Sequence, residues 1–521
     1  LSEMGMQLAA AGQDLADLDG LLLKAPGSGQ GAKTLLTIIN DVQSKIGSVR
    51  TQLAGALKAA DRVEVGVLPA AQQATFTRGR STIAQAITAI DQFVALVPIV
   101  TEVLGGNGAR TYLIEQVNPA ELRPGGGFLG TYSVLRADHG TLQLIKSGDA
   151  VDLSLPRRSI GQAGYVTAPG PIRELTGNYS WVFFDSNFSP DFPSNAASGE
   201  FFAQPHLGFH VDGVISIDYY AVARMIALTG PIGVPGFGIT LTGDNLVPLI
   251  VQNDINAYTD ARANAIHKAI LAAVAGPLLS RIVTLQPGLW PNLLGALNDL
   301  AASRHLQAYF NNADVEKAID QYGWSGIQKV ASAADYMMEV EANLGSTKAN
   351  YFVTRHYAVD LTRSGDTLHH TVTVDIYDNM AYEYRPYEYY HAYIRMYVNA
   401  KSSSYSSNLV PPRYANPAPP AGTQVLDGWM NIHGYGHDKL VVFQWDTPWQ
   451  ATGRGQEQIY WQKQPGTTTD KVDVTWNDGN GHTYKVSGDL SQDRVITLAP
   501  TAVTLTQGQI GTAQLPNLSL G

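Results

Sequence analysis

Cysteine is absent from this sequence. That excludes disulfides, thiolate metal sites and a cysteine nucleophile. It agrees with an exported protein that avoids thiol oxidation, and equally with many that stay inside the cell. Charge is scarce too: charged residues make up 15% of the chain, against 45% hydrophobic ones. So globular a composition argues against long disordered tails. No basic cluster is longer than Arg157-Arg158, and the formal net charge is -10. Proteins that grip a phosphate backbone concentrate basic side chains on one face, so nucleic acid is not an expected partner. No uninterrupted run reaches the ~18 to 20 apolar residues of a membrane helix. The chain starts at Leu1 rather than Met, and from this a signal peptide or a membrane anchor upstream of the given residues is expected. H-E-x-x-H, G-x-S-x-G and phosphate-loop patterns are missing as well, so no serine triad can be nominated.

What is present points to several domains, because 521 residues exceed one ordinary core. The expected class is α+β, in three parts. Residues 1–105 read as a helical hairpin or stalk. Leu35, Ile39, Val42, Ile46, Val49, Leu53 and Leu57 form one helical seam, and Ile83, Ile87, Ile90, Val94 and Val97 form another. Pro69 and Arg78-Gly79 are read as breaks between them, and Gly27 to Gly31 as a flexible gap. Such a hairpin is either internal or a stalk for oligomerisation. Residues 106–345 alternate strand-like and helix-like stretches, which predicts a layered α/β domain. Its strands are placed at Thr111–Val117, Thr131–Ala137, Thr141–Lys146 and Gly213–Asp218. A helix is expected from Asn256 to Ala275, ended by Gly276-Pro277. Residues 346–521 alternate apolar and polar positions between turn pairs such as Ser364-Gly365, which predicts an antiparallel β-sandwich.

Three segments carry candidate chemistry. The first runs from Asn118 to Gly130 and contains Glu121, Arg123, Gly125, Gly126 and Gly127. Adjacent glycines let the backbone approach a ligand or another backbone, and their N–H groups can form an anion nest. Arg123 would add a bidentate donor to a phosphate or carboxylate; a structural turn with a Glu121–Arg123 ion pair is the alternative. No helix follows the loop to hold a pyrophosphate. In the second, Asp185 and Asp191 lie in a loop that could ligate Mg²⁺ or Ca²⁺, or serve as Asx-turn and helix cap. The third, Thr242 to Asn245 followed by Tyr258, Asp260 and Arg262, puts an arginine early in a helix. There it opposes the helix dipole and points to a nearby anion or an acidic partner. His369 and His370, adjacent on a strand, face opposite ways and cannot share a metal.

The Asn118–Gly130 segment resembles the N-x-x-E-L-R-P-x-G-G-F-x-G signature of a bacterial family, domain of unknown function 4012. Ser189–Pro193, Asp212–Asp218 with Leu228–Pro231, Tyr322–Gly326 and Ala342–Gly345 are similar to its later blocks. The resemblance implies an exported body behind a membrane helix. More distantly, Asp212–Val234, Leu241–Gly243 and Tyr258-x-Asp260-x-Arg262 resemble the LytR-CpsA-Psr enzymes. Those transfer polyprenyl-pyrophosphate-linked glycans to the cell wall with Mg²⁺. That likeness implies phosphate contact by Arg262 and places the family's strand arginine near Arg123. Here Arg123 is followed by Pro-Gly-Gly-Gly and Leu155-Pro156-Arg157-Arg158 carries no Asp, so the catalytic aspartates are missing.

Two functions are therefore expected to compete. One is a non-catalytic protein of the bacterial cell envelope or surface. It would bind envelope glycan or partner proteins, or assemble with copies of itself into a surface structure. The other is a Mg²⁺-dependent transferase acting on a polyprenyl-linked donor. The second requires an apolar bore between sheet and helices, and Arg123 and Arg262 within ~8 Å of each other across one diphosphate. Trp429, Trp445 and Trp461 are further candidates, as platforms for sugar rings on the sandwich.

Overall fold

The structure is a computed structural model that describes residues 2–22, 35–257, 260–286, 289–330, 335–379, 389–416, 418–432, 436–450 and 455–508. Gly27 to Gly31, Tyr258 and most of the tyrosine-rich stretch beginning at Tyr382 lie outside these residues. Helices and strands are mixed, and the described strands form four sheets.

The N-terminal region holds α1 (Ser2–Leu22), α2 (Leu35–Ala60) and α3 (Ala70–Val103). The two apolar seams do meet: Val49 and Leu53 of α2 share a core with Ile83 and Ile90 of α3. Ala11 of α1 joins that core, so a third helix completes what the seams alone predicted as a hairpin. Pro69 stands just before α3 and starts it. Arg78-Gly79 does not break the helix, because an exposed interior glycine costs only about 1 kcal/mol. By length and composition alone, α3 and a later helix, Ala261–Val283, could cross a membrane, although neither is an uninterrupted apolar run. The C-terminal end of α3 is tied to the next unit by Tyr112, whose hydroxyl donates to Val103 O at 2.8 Å.

A five-stranded sheet follows, ordered β3-β2-β1-β4-β7. It comprises β1 (Arg110–Asn118), β2 (Phe128–Asp138), β3 (Thr141–Asp149), β4 (Gly213–Asp218) and β7 (Leu306–Phe310). β1 and β4 run parallel and the other neighbours antiparallel. His139 and Gly140 both take positive φ at the tight β2–β3 turn, the geometry such hairpins demand. One face packs on α5 (Phe192–Leu207) through Leu113, Val214, Phe192 and Ala196. The other faces α6 (Tyr219–Thr229), α7 (Leu246–Asn256), α8 (Ala261–Val283) and α9 (Trp290–Ala302). Helix α8 continues through Gly276-Pro277 instead of ending there, with Pro277 on its exposed side.

Two six-stranded sheets build the C-terminal part and share one hydrophobic core. They are not wholly antiparallel, since β9 (Val353–Ser364) runs parallel to β16 (Lys471–Asn477), and β8 (Asp335–Asn343) to β15 (Glu457–Trp461). β8 lies inside this part although the sequence reading put residues 335–343 in the preceding domain. Every residue of β8 is buried, so both of its faces are covered and no alternation marks it. Its inward acids are matched: Arg355 Nε donates to Glu341 at 2.6 Å, and Tyr357 Oη to Glu339 at 3.0 Å.

The two parts meet through buried polar contacts. Arg304, after α9, makes a bidentate pair with Asp493 of the sandwich at 2.8 and 2.6 Å. Buried Lys463 donates to Ser303 O at 3.1 Å and to Thr467 O at 2.6 Å. Where the loop after β1 touches the sandwich, the backbones nearly collide: a Cβ on Gly466 would lie 1.9 Å from Gly126 O, and Gly466 has φ +79°. Gly481 has a similar φ of +94° but open space around it. We expect Gly481→Ala to cost about 1–3 kcal/mol of backbone strain and Gly466→Ala clearly more, read as the difference between their thermal midpoints. Equal losses would mean that the contact at Gly466 is not tight.

Candidate functional site

The helix-covered face of the central sheet does not close completely. Alternate residues of β1 and β4 turn to that face, presenting Ile114, Gln116, Ile215 and Ile217. Opposite them, Leu271, Val274, Leu278 and Ile282 recur along one side of α8. Between these walls lies a cavity of about 230 Å³. Leu135 of β2, Leu144 of β3, Met225 of α6 and Ile250 of α7 complete an almost wholly aliphatic lining. Gln116 and Ser133 are already partnered, because Gln116 Nε2 donates to Ser133 Oγ at 3.1 Å and Gln116 Oε1 accepts from Thr131. Tyr219 also lines the cavity; burial pushes its hydroxyl well above the usual phenol range, so it stays protonated.

Next to Tyr219, beyond the end of β1, sits a balanced charge cluster. Glu121 accepts from Arg123 at 3.0 Å and from Lys348 at 2.6 Å. Lys348 also reaches Asp254 Oδ2 at 3.3 Å, which accepts from Asn118 Nδ2 at 3.3 Å. Burial raises the Glu121 pKa, but Lys348 and Arg123 outweigh it and hold the carboxyl below its ordinary value. His267 of α8 feels the same cluster: burial lowers its pKa against the pull of Asp254.

The glycine-rich loop is a junction and not an open seat for an anion. Gly125 N donates to Asn187 O at 3.1 Å and Gly126 N to Arg123 O at 2.9 Å. Gly127 has a Cβ position only 2.4 Å from Asn118 O, so no side chain fits there. The Arg123 guanidinium is buried, paired with Glu121 and bonded to Asn343 O. The ion pair with Glu121 is the structural alternative the sequence left open.

Arg262 is placed quite differently. It lies exposed in the first turn of α8, where its backbone N–H donates to the capping Asp260 at 2.8 Å. Among the described residues no acidic side chain pairs with it, and Asp254 is engaged by Lys348 instead. Arg123 is thus buried and neutralised, whereas Arg262 is exposed.

Of the two aspartates proposed for Mg²⁺, one is already engaged by the fold. Asp191 caps α5, accepting from Ser194 N at 3.2 Å, while its other oxygen accepts from Gln328 N at 3.0 Å. Asp185 is buried, and burial lifts its pKa to about 6 although Arg123 and Arg157 pull it down. Among the described residues no three acidic or histidine side chains gather as ligands. Trp445 and Trp461 are 1% exposed, in the sandwich core, and cannot stack on a sugar. Trp429 belongs to a smaller cluster beside the central domain.

One buried acid escaped the sequence reading. Glu115 points to the α5 face of the sheet, is 0% exposed, and neither oxygen has a hydrogen-bond partner. Gly199 of α5 leaves room for it: a Cβ there would come 2.4 Å from Glu115 Oε1. Burial, with a smaller push from Glu200, raises its pKa to about 8. A glutamate between Ile114 and Gln116 gives no sequence signal of burial beyond its position in an alternating strand.

Residues 107–254 match the family model described as Protein of unknown function (DUF4012). The match takes in β1, the glycine-rich loop, Glu115 and the cavity wall as far as α7. No curated protein matches the chain. The crystal structure of the transcriptional regulator yvhJ from Bacillus subtilis is similar at 15% identity, over 41% of this chain and 75% of that one, with a TM-score of 0.19. A likeness of that extent supports no inference about fold or role.

Glu115 makes stability depend on pH in a defined direction. Between its ordinary value of 4.5 and about 8, the folded protein holds this proton and the unfolded chain has lost it. Stability therefore falls as pH rises through that window, by up to about 1.4 kcal/mol per pH unit. Glu115→Gln removes this component, so the difference between wild-type and variant unfolding free energies should slope across the window. A flat difference would show that Glu115 ionises normally.

Proposed function

Since the chain carries in residues 107–254 a domain of the DUF4012 family, whose function is unknown, we propose from the site itself that this is a non-catalytic protein of the bacterial cell envelope. It holds a long apolar chain, acyl or isoprenoid, between the central sheet and α6–α9. The observation that carries this reading is the cavity and its lining. At about 230 Å³ it exceeds the ~150 Å³ apolar cavity that stays dry and takes up benzene. At ~24 cal/mol per Å³, leaving that much space unfilled forfeits up to about 5 kcal/mol of packing. Gln116 is satisfied by Ser133 and Thr131, which leaves the Tyr219 hydroxyl as the one lining group able to meet a polar atom of a guest. A methylene chain meets those terms; a nucleotide or a free sugar does not.

The transferase reading shares the apolar bore and needs the rest of the machinery. Arg123 is neutralised by Glu121, Arg262 is exposed, and Asp191 is spent as a helix cap. These placements favour holding a lipid over transferring its head group. The exported setting follows the expectation drawn from the family signature, with envelope lipid as the partner.

Native mass spectrometry of the purified protein should find a bound acyl or isoprenoid lipid. Adding a long-chain fatty acid or a polyprenyl phosphate should raise the thermal midpoint. Leu278→Trp, which fills the bore from α8, should abolish that rise while raising or preserving the midpoint of the lipid-free protein. A wild-type protein that neither carries nor responds to any such chain would overturn the reading.

A further inference from the structure

A second concavity lies at the edge of the sandwich, well apart from the lipid cavity in its lining residues. It is formed by β13 (Thr423–Ile432), β14 (His437–Pro448), the segment 408–413 and the end of α4 (Gly170–Thr176) of the central domain. Its volume is about 380 Å³, within the lower range of small-ligand sites, which favour such domain boundaries. Trp429 lines it and is 6% exposed, yet its indole N–H has no partner. An unpaired buried donor of this kind costs about 1–3 kcal/mol unless something accepts from it.

The edge is closed to peptide strands. Val410 and Trp429 exchange both backbone bonds, at 3.1 and 2.8 Å. The Asn408 amide takes Leu440 O and Val442 N of β14, each at 2.9 Å. An added strand would find these backbone groups occupied, so a guest must be read by side chains. The available ones are two exposed cations, Arg413 and Lys439, neither of which is paired with an acid among the described residues, the exposed Asn431 amide, His391, and one carboxylate, the half-buried Glu174. Arg413 is held in place because its backbone N–H donates to Glu174 at 2.7 Å. Leu409, Met430 and Val441 supply an apolar wall. In a chain of net charge -10, two cations against the single Glu174 carboxylate, which the Arg413 backbone N–H already engages, leave a cleft of net positive charge beside an apolar wall, and that favours an anion with an apolar face.

We propose that this cleft binds an acidic sugar residue, such as a uronic acid within a polysaccharide. The ring's C–H face rests on the apolar wall, a ring or hydroxyl oxygen accepts from Trp429, and the carboxylate lies between Arg413 and Lys439. The site shares no lining residue with the lipid cavity, so the two readings stand or fall separately.

Titration calorimetry with a glucuronic-acid-containing oligosaccharide and its carboxyl-reduced neutral counterpart tests this. The acid form should bind, and the neutral form about tenfold more weakly, the ratio expected from losing one charge-assisted contact. Arg413→Gln and Lys439→Gln, both at exposed positions, should each weaken the acid form about fivefold to tenfold and bring its affinity towards that of the neutral form. Trp429→Phe should weaken both forms alike, and Leu278→Trp should change neither. No binding at millimolar sugar, equal binding of the two forms, or binding that ignores Arg413→Gln would overturn the proposal. So would displacement of the sugar by a neutral peptide.

Discussion

Leu122 O accepts from Asn343 N at 2.9 Å, and Arg123 reaches back to the carbonyl of the same asparagine. Through this pair of contacts the loop after β1 is stitched to the end of β8. Gln464 adds a bond from the next turn of the sandwich to Arg123 O, at 3.3 Å. Buried backbone groups must be paired, and here they are paired across two architectures and not within one. The glycines exist because the partners come so close: a β-carbon at Gly126, Gly127 or Gly466 would strain the backbone or meet other atoms. The position of the cavity depends on this seam, since β1 carries both the loop and one wall of the bore.

Electrostatics in this protein serves assembly first. Arg123, Arg304, Arg355 and Lys463 are all buried, and the three arginines each meet a carboxylate. A lone charge in such surroundings would cost several kcal/mol, and losing one partner of a pair typically costs 3–5. Lys463 has no carboxylate at contact distance and donates to backbone carbonyls instead; burial brings its pKa down to about 8. Arg123, Arg304 and Lys463 are spent on holding one domain to another, and Arg355 on pairing Glu341 within the sandwich. The apolar cavity, by contrast, has no charged side chain in its lining among the described residues.

How much of this was legible beforehand follows from what each element had to satisfy. β4 was placed to the residue, because Gly213–Asp218 is an apolar strand that ends where Asp218 caps the next helix by accepting from Ala221 N. The α2 and α3 seams were visible for the same reason: one exposed face leaves a helical period. β8 was not, because a strand buried on both sides, with Glu339 and Glu341 pointing inward, shows no alternation. Arg123 looked like an anion binder because a glycine-rich loop reads alike whether its N–H groups meet a phosphate or another backbone. Only the tertiary placement of Asn187 and Asn343 separates the two. The bore was anticipated solely through the family resemblance, since its lining comes from residues 114 to 306, a span no local pattern connects.

The distance in sequence between the two halves of the seam has a consequence for biogenesis. The loop at residues 122–127 emerges early from the ribosome, but Gln464 and Gly466, which complete its surroundings, emerge more than three hundred residues later. At ~5–20 residues per second, that delay lasts roughly fifteen seconds to a minute. During it the central domain must wait with a loop of unpaired N–H and C=O groups and an unmatched Arg304. Such a nascent chain is a natural client for a holding chaperone, or for an export route that keeps the chain unfolded until its last strands have been made.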